Sequence, residues 1–151
     1  MKFIADDMLG RLAKWMRILG YDTLYFPKVQ DYELLRSASL GERVILTRDR
    51  KLPQKTIAGR ILVIDGNDYA QQLLEVIKSL KLEVSAGKIF SRCLQCNVSV
   101  IKVREKEKVK ALVPPYVFDR HPSFHQCPKC LKVFWSGSHY ENTLKSLKEL
   151  L

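Results

Sequence analysis

The 151-residue sequence lacks any long apolar run. No stretch approaches the roughly 20 apolar residues that a transmembrane helix needs, and the chain does not open with a cationic segment followed by an apolar one, the pattern of a secretory signal. We therefore expect no membrane association and a cytoplasmic location. Internal repeats and low-complexity tracts are absent as well. Because 46% of the residues are hydrophobic, the composition indicates a globular protein of one domain, or of one small domain with an appended module.

Cysteine is scarce, and its spacing is regular. The chain has four cysteines, in two Cys-x-x-Cys pairs that 30 residues separate: Cys93, Cys96, Cys127 and Cys130. Four thiolates in two such pairs suit a tetrahedral Zn²⁺ ion, and extended strands between the pairs can absorb a separation longer than the common 15 to 20 residues or so. Two disulfides are the alternative, which the lack of a secretory signal disfavours. We predict one structural zinc ion per chain.

Acidic residues are outnumbered by basic ones, most strongly in the C-terminal part, and the formal net charge is +10. Residues 1–87 carry 14 Lys and Arg against 11 Asp and Glu, whereas residues 88–151 carry 12 against 5. Such an excess favours a polyanionic partner. If that partner is RNA, the C-terminal part should supply much of a salt-dependent affinity.

Strands alternate with helices up to about residue 82, which predicts a parallel sheet with right-handed crossovers and an α/β fold. We expect residues 1–87 to form this sheet domain and residues 88–151 a second module. In that module, residues 98–103, 111–113 and 133–135 are predicted strands. A helix follows from about residue 138, with Ser138 and Glu141 as a capping box. The outline is a small β-rich zinc ribbon with a C-terminal helix.

Two of the predicted strands end on acids. The apolar run at residues 3–5 stops at Asp6 and Asp7, and the run at residues 43–47 leads to Asp49. Open α/β sheets bind their ligands outside the carboxyl ends of the strands. A few carboxylates there can hold Mg²⁺ or Mn²⁺ for phosphodiester hydrolysis. Taken singly, each acid can also be a helix cap or a solvated turn, as for Asp31, predicted to cap a helix.

Several separated motifs occur in one order along nearly the whole chain. They are residues 3–17 (FIADDMLGRLAKWMR), residues 45–50 (ILTRDR), the two cysteine pairs and residues 134–139 (FWSGSH). In these motifs the sequence resembles the Mut7-C family, a PIN-like ribonuclease domain fused to a zinc ribbon. The resemblance implies a PIN-like sheet with flanking helices and metal-dependent RNA cleavage. It matches acids at Asp6, Asp31 and Asp49, and Asp7 and Glu33 are additional candidates.

Basic residues near these acids are candidate RNA contacts. The four are Arg11, Lys14, Arg48 and Arg50. Each taken alone is more often a solvated surface charge. Trp15 lies one residue off the apolar stripe of the first helix and can stack on a base, although a core or interface role is the favoured interpretation.

Two other classes of function remain open. Phosphoacceptor receiver domains also carry acids after their first and third strands, but the later lysine of such domains has no persuasive counterpart. A non-catalytic RNA-binding protein, associated with a ribosome or ribonucleoprotein, would use a zinc ribbon and a degenerate PIN-like domain only to dock on RNA. Convergence of Asp6, Asp31 and Asp49 on one point would favour the enzyme, and an Arg or Lys at that point would favour the binder.

Overall fold

The structure is a computed structural model that describes residues 1–55 and 60–151. The chain divides into two compact units, residues 1–97 and residues 98–151. The boundary that we predict at residue 87 lies inside the first unit, so the first cysteine pair packs with the sheet. In the described ranges, no helix has both the length and the apolar character needed to cross a bilayer.

The first unit is built on a four-stranded parallel sheet with flanking helices, which confirms the predicted α/β class. Its elements are β1 (Lys2–Ala5), α1 (Gly10–Ile18), β2 (Asp22–Tyr25), α2 (Asp31–Gly41), β3 (Val44–Thr47), β4 (Ile61–Val63) and α3 (Tyr69–Leu80). The strand order is β2-β1-β3-β4, and all neighbouring strands are parallel.

The two central strands of the sheet are apolar because helices cover both faces. Every residue of β3 is buried. Side chains along a strand point alternately to opposite faces. On one face Ile4 and Ile45 pack against Leu34 and Ala38 of α2, so Phe3 turns to the face that α1 covers. Burial of each large aliphatic side chain contributes roughly 1.5–3 kcal/mol to this core.

The strand order brings the carboxyl ends of β1 and β3 side by side. From β1 the chain passes through α1 to β2 at the sheet edge, and from β2 it returns through α2 to β3 on the other side of β1. The N–H of Asp6 donates to the carbonyl of Leu46 at 3.0 Å, which extends the pairing beyond Ala5. Because β2 and β3 lie on opposite sides of β1, the strand order reverses direction at β1. Open α/β sheets bind their ligands at such a point.

The second unit carries a small antiparallel sheet, in line with the β-rich module that the sequence predicts. Its elements are β5 (Ile101–Lys102), α4 (Pro115–Arg120), β6 (His125–Gln126), β7 (Val133–Phe134) and α5 (Ser138–Leu150), and the strand order is β5-β6-β7. Its core is a cluster of six apolar residues, namely Val109, Val113, Val117, Phe118, Phe124 and Val133. The predicted C-terminal helix is therefore present, next to a β-rich module.

The strands predicted between the two cysteine pairs are wrong in part. The strand expected at residues 98–103 is reduced to β5, and residues 111–113 are not a strand, because Lys106–Leu112 form a 3₁₀ helix. Only Val109 of that helix is buried, and Val113 and Val117 enter the same core from the turn after it and from α4. The apolar residues of this stretch thus belong to three successive elements, which a short apolar run cannot reveal.

The N-caps of two helices lie one residue before the predicted caps. The N-cap of α2 is Gln30, and Asp31 is the first helical residue. The N-cap of α5 is Gly137, so Ser138 is likewise inside the helix rather than its cap. Both N-cap residues have the extended backbone that this position requires. The residue that caps α2 is therefore Gln30 and not Asp31.

Candidate functional site

Asp6 is held in a fixed position at the carboxyl end of β1. Its Oδ2 accepts a hydrogen bond from the Thr47 hydroxyl at 2.6 Å, and its Oδ1 accepts one from the N–H of Met8 at 3.0 Å. Thr47 is fully buried at the end of β3, and its Oγ1 accepts a hydrogen bond from the N–H of Asp49 at 3.0 Å. One buried hydroxyl therefore links the Asp6 carboxylate to the backbone of Asp49.

Asp6 and Asp7 titrate as a pair. Partial burial would raise the pKa of Asp6, but hydrogen bonds from Asp7, Thr47 and Met8 together outweigh burial and lower this pKa. The hydrogen bond with Asp6 raises the pKa of Asp7, and desolvation and the charges of Asp6 and Asp31 raise it further. Of the two carboxyl groups, Asp6 is thus the one that ionises first.

Asp31 and Glu33, both at the start of α2, have different surroundings. The charge of Asp31 is felt at Asp7, where it contributes to the raised pKa, so the first residue of α2 acts electrostatically on the turn after β1. Glu33 turns back on its own helix, and its Oε2 lies 3.5 Å from the N–H of Gln30 in a capping box. The geometry gives Glu33 a structural role in starting α2.

Asp49 opens the turn that follows β3. Its Oδ1 accepts a hydrogen bond from the N–H of Lys51 at 2.8 Å, and its carbonyl accepts one from the N–H of Leu52 at 3.2 Å. Leu52 is itself buried in the core. The turn is thus anchored at both ends, by Thr47 on one side and by Leu52 on the other, and Asp49 keeps a defined position.

The acids are spaced more widely than the cysteines. Among residues 1–55 and 60–151, the four cysteines are the only group of three or more potential ligands close enough to share an ion. The acidic edge offers instead Asp6 and Asp49, joined through Thr47, with Asp7 adjacent. Because Mg²⁺ is commonly held by one or two carboxylates together with waters and substrate phosphates, this donor set fits Mg²⁺ or Mn²⁺.

Tyr25 covers the turn that carries Asp6 and Asp7. It ends β2, and its hydroxyl donates a hydrogen bond to the carbonyl of Asp7 at 2.9 Å. Gly10 leaves room for the ring, since a Cβ at that position would lie 2.9 Å from the tip of Tyr25. A larger residue at Gly10 would displace the tyrosine and loosen the turn. Neither residue is among those that the sequence singles out.

The basic residues that are candidate RNA contacts differ in their exposure and in their partners. Lys14 is exposed, and Arg48 is half-buried. Arg50 forms an exposed ion pair with Asp65 at 2.7 Å. Exposed ion pairs of this kind contribute about 0–1 kcal/mol, so Arg50 can exchange the Asp65 carboxylate for a phosphate at little cost.

Arg11 and Trp15 both pack on Tyr69. The rings of Trp15 and Tyr69 are stacked, with 5.3 Å between their centroids and 9° between their planes. The Arg11 guanidinium lies 4.6 Å from the centroid of the same tyrosine ring. Arg11 and Trp15 are four residues apart and therefore neighbours on one face of α1. Trp15 thus has an aromatic partner inside the first unit, in line with a packing role.

The two cysteine pairs share one backbone geometry. In each pair the residue after the second cysteine has a left-handed conformation, with φ of 59° at Asn97 and 65° at Leu131. The N–H of that residue donates to the carbonyl of the first cysteine, at 2.9 Å in the first pair and 3.0 Å in the second. The N–H of the second cysteine lies 3.4 Å from the sulfur of the first in both pairs. Such N–H donors favour the thiolate, the form of cysteine that binds metal.

The cysteine sulfurs form a compact cluster, in which all four lie within 4.8 Å of one another. A tetrahedral Zn²⁺ ion with Zn–S bonds of about 2.3 Å needs sulfurs roughly 3.8 Å apart. The spacing, the four thiolate donors and the N–H···S contacts all fit this ion. Cys93, Cys96, Cys127 and Cys130 are therefore arranged to hold a structural zinc, as predicted from their spacing.

A buried polar network anchors the first cysteine pair within the sheet unit. The Arg17 side chain is 9% exposed, and it donates from Nε to the carbonyl of Thr23 at 2.9 Å and from Nη1 to that of Leu94 at 2.7 Å. Asn97 accepts from the N–H of Thr23 at 3.0 Å and donates to Asp22 at 2.7 Å. In the sequence, Arg17 is only one of several basic residues of α1, and no local signal marks its role.

The chain is similar to known proteins over most of its length. A family model described as Mut7-C RNAse domain matches residues 1–147. The Homo sapiens protein named exonuclease mut-7 homolog is 32% identical over 117 residues, which cover 74% of this chain, and the match spans only 13% of that relative's length. No solved structure matches the chain. The strand-end acids, the sheet and the cysteine cluster thus occur in a chain that belongs to the Mut7-C RNAse domain family.

Proposed function

We propose that the chain is a metal-dependent ribonuclease that hydrolyses RNA phosphodiester bonds at the carboxyl ends of β1 and β3. The observation that carries this proposal is the hydrogen-bond chain from the Asp6 carboxylate through the Thr47 hydroxyl to the Asp49 backbone. It lies at the point of the sheet where α/β folds bind ligands. Membership of an RNAse domain family supports both the reaction and the substrate class.

Asp6 and Asp49 are the proposed metal ligands, with Asp31 as the third acid and Asp7 as an additional one. Asp6 suits this role because its lowered pKa keeps it ionised at neutral pH. A bound Mg²⁺ or Mn²⁺ ion would supply activation of water and shielding of phosphate charge. Thr47 fixes the Asp6 carboxylate relative to the Asp49 backbone, and a ligand held in a fixed position needs little rearrangement when metal and substrate bind.

The remaining features have supporting roles in this proposal. The four cysteines hold one structural zinc per chain. Phosphate contacts come from basic residues near the acids in the sequence, which are Arg11, Lys14, Arg48 and Arg50, and from the C-terminal excess of Lys and Arg. This division leaves chemistry to the sheet unit and assigns much of the salt-dependent affinity to the second unit.

Asp6→Asn tests the proposed chemistry most directly. The substitution is nearly isosteric and keeps an oxygen that can accept from Thr47, but it removes the charge that a divalent cation needs. We expect cleavage of a panel of RNAs in Mn²⁺ to be abolished, while RNA binding stays the same or becomes slightly tighter because a negative charge facing phosphate is lost. Asp119→Asn, at an exposed aspartate of α4, is the control. Equally slow cleavage by the wild type and Asp6→Asn would show that the activity is not at this site.

The second candidate is a non-catalytic RNA-binding protein that docks on a ribosome or ribonucleoprotein. It is favoured by the wider spacing of the acids, because no three carboxylates in the described part of the chain form a common metal-binding group. The same assay separates the two functions. RNA binding by the wild type without cleavage that depends on Mn²⁺ would support the binder, whereas cleavage that Asp6→Asn removes would exclude it.

A further inference from the structure

A groove lined by aromatic and basic side chains opens on the first unit. It is an open groove of about 520 Å³ between the loop after β2 and the outer side of α2, a volume within the range of roughly 300–1,000 Å³ that is typical of ligand clefts. Phe26 and Tyr32 line it and are 46% and 68% exposed. Lys28 and Arg36 add two positive charges to the same lining. The groove therefore combines exposed rings with cations.

The groove adjoins the edge of the sheet that carries the acids. Tyr25, the last residue of β2, is paired in register with Ala5, the last residue of β1. Phe26 therefore leaves the sheet level with Asp6, and the groove starts there. At its other side Tyr32 directly follows Asp31 in α2. An RNA strand bound at the acids can thus continue into the groove, because Phe26 and Tyr32 lie next to the acidic edge.

We propose that this groove binds unpaired bases of a single-stranded RNA whose phosphates pass the acidic edge. Single strands are held by aromatic rings on which bases stack and by cations that follow the backbone. Tyr32 and Phe26 provide the rings, and Lys28 and Arg36 provide the cations. The inference rests on the proposed ribonuclease function and adds the class of substrate, single-stranded rather than duplex RNA.

The charges of the groove favour RNA over an apolar partner. Its one acid, Glu33, is engaged with the N–H of Gln30 in the capping box of α2. Arg36 lies one helical turn from Tyr32, and its Nη1 is 3.5 Å from the tyrosine hydroxyl, so cation and ring lie on the same face of the helix. An apolar occupant would remove Arg36 and Lys28 from water without a partner, whereas RNA brings a phosphate for each.

The test measures binding, without added Mg²⁺ or Mn²⁺, of a short single-stranded RNA that carries 2-aminopurine and of the same strand in a duplex. Tyr32→Ala should weaken single-strand binding by about 5- to 150-fold, the effect of losing one stacked base, and should abolish the quenching of 2-aminopurine. Affinity for the duplex should stay unchanged. Tyr32→Phe keeps the ring and should retain both the affinity and the quenching.

Tyr116→Ala is the matched control, since Tyr116 is 63% exposed on the second unit. It should leave the ratio of single-strand to duplex affinity unchanged. Equal losses in Tyr32→Ala and Tyr116→Ala, or no loss in either, would overturn the proposal. So would unchanged RNA binding together with a dimer that Tyr32→Ala dissociates, because a second copy would then occupy the groove.

Cleavage in Mn²⁺, measured separately, keeps this inference distinct from the proposed function. Stacking without cleavage by the wild type would refute the ribonuclease and retain the groove. Cleavage that Asp6→Asn removes, without stacking at Tyr32, would refute the groove and retain the ribonuclease. Because Tyr32 is exposed and alanine is a better helix former, Tyr32→Ala should fold, and the circular dichroism melting curve checks this.

Discussion

Thr47→Val tests whether one buried hydroxyl organises the acidic edge. Valine has nearly the shape of threonine, and Thr47 is fully buried, so the change removes the hydroxyl without opening a cavity. Asp6 loses its 2.6 Å hydrogen bond, and the N–H of Asp49 loses its acceptor at 3.0 Å. We therefore expect a loss of stability and a less defined position for both acids.

The size of the effect follows from these two bonds. A hydrogen bond to a charged group contributes about 1.5–3 kcal/mol and a neutral one about 0.5–1.5 kcal/mol. Because Asp6 is only half-buried and keeps the N–H of Met8, the lower ends of these ranges apply. Thr47→Val should thus lower the free energy of unfolding by about 2 kcal/mol at pH 7.

The effect of Thr47→Val should also depend on pH. The Thr47 hydroxyl is one of the groups that lower the pKa of Asp6 below its ordinary value of 3.8. A carboxyl whose pKa is lowered on folding stabilises the native state above the unfolded value, and this contribution is lost as the pH falls through the native value. The stability difference between the wild type and Thr47→Val should therefore shrink below pH 3.8, as Asp6 becomes protonated.

Urea denaturation at neutral pH and near pH 3 measures the loss of stability in Thr47→Val and its dependence on pH. Thr23→Val is the matched control, because Thr23 is also fully buried in a strand and its hydroxyl makes only a neutral bond, to the carbonyl of Tyr21 at 3.2 Å. If Thr47→Val costs no more than Thr23→Val at neutral pH, or costs the same at both pH values, the reasoning is refuted. In a cleavage assay, the acid limb of the pH profile should move to higher pH in Thr47→Val.

Three further predictions concern the zinc cluster and RNA affinity. Elemental analysis should find one zinc per chain in the wild type and none in Cys127→Ser, whose second unit should unfold because metal binding supplies folding energy to small modules; zinc-free, fully folded wild type would contradict this. Arg17→Met should lower the free energy of unfolding by about 2–4 kcal/mol and speed zinc release to a chelator, since the carbonyls of Thr23, Leu94 and Gln95 lose their donor; an unchanged release rate would argue against it. Lys102→Gln combined with Arg104→Gln should flatten the salt dependence of RNA affinity, whereas Lys2→Gln, at the amino end of β1, should not; equal slopes would assign the contacts elsewhere.

The sheet unit was predictable because its signals are local. Apolar runs that end on acids, such as residues 3–5 before Asp6, indicate buried parallel strands. Asp68 accepts hydrogen bonds from the N–H groups of Ala70 and Gln71, the cap that its spacing predicts for α3. The second unit was harder to predict. Its strands are two residues long, too short for an alternating pattern, and the 3₁₀ helix Lys106–Leu112 has no distinct period of its own.

The sequence by itself identified the groups that can carry chemistry, namely the acids after strands and the two cysteine pairs. It could do so because spacing and periodicity are properties of short segments. Only the tertiary structure decided which distant groups meet. Strand order puts β3 beside β1, so Thr47 reaches Asp6 across 41 positions, and Arg17 reaches the carbonyl of Leu94 across 77. A buried polar group must find its partner among whatever neighbours the packing supplies. No local pattern of residues specifies those neighbours.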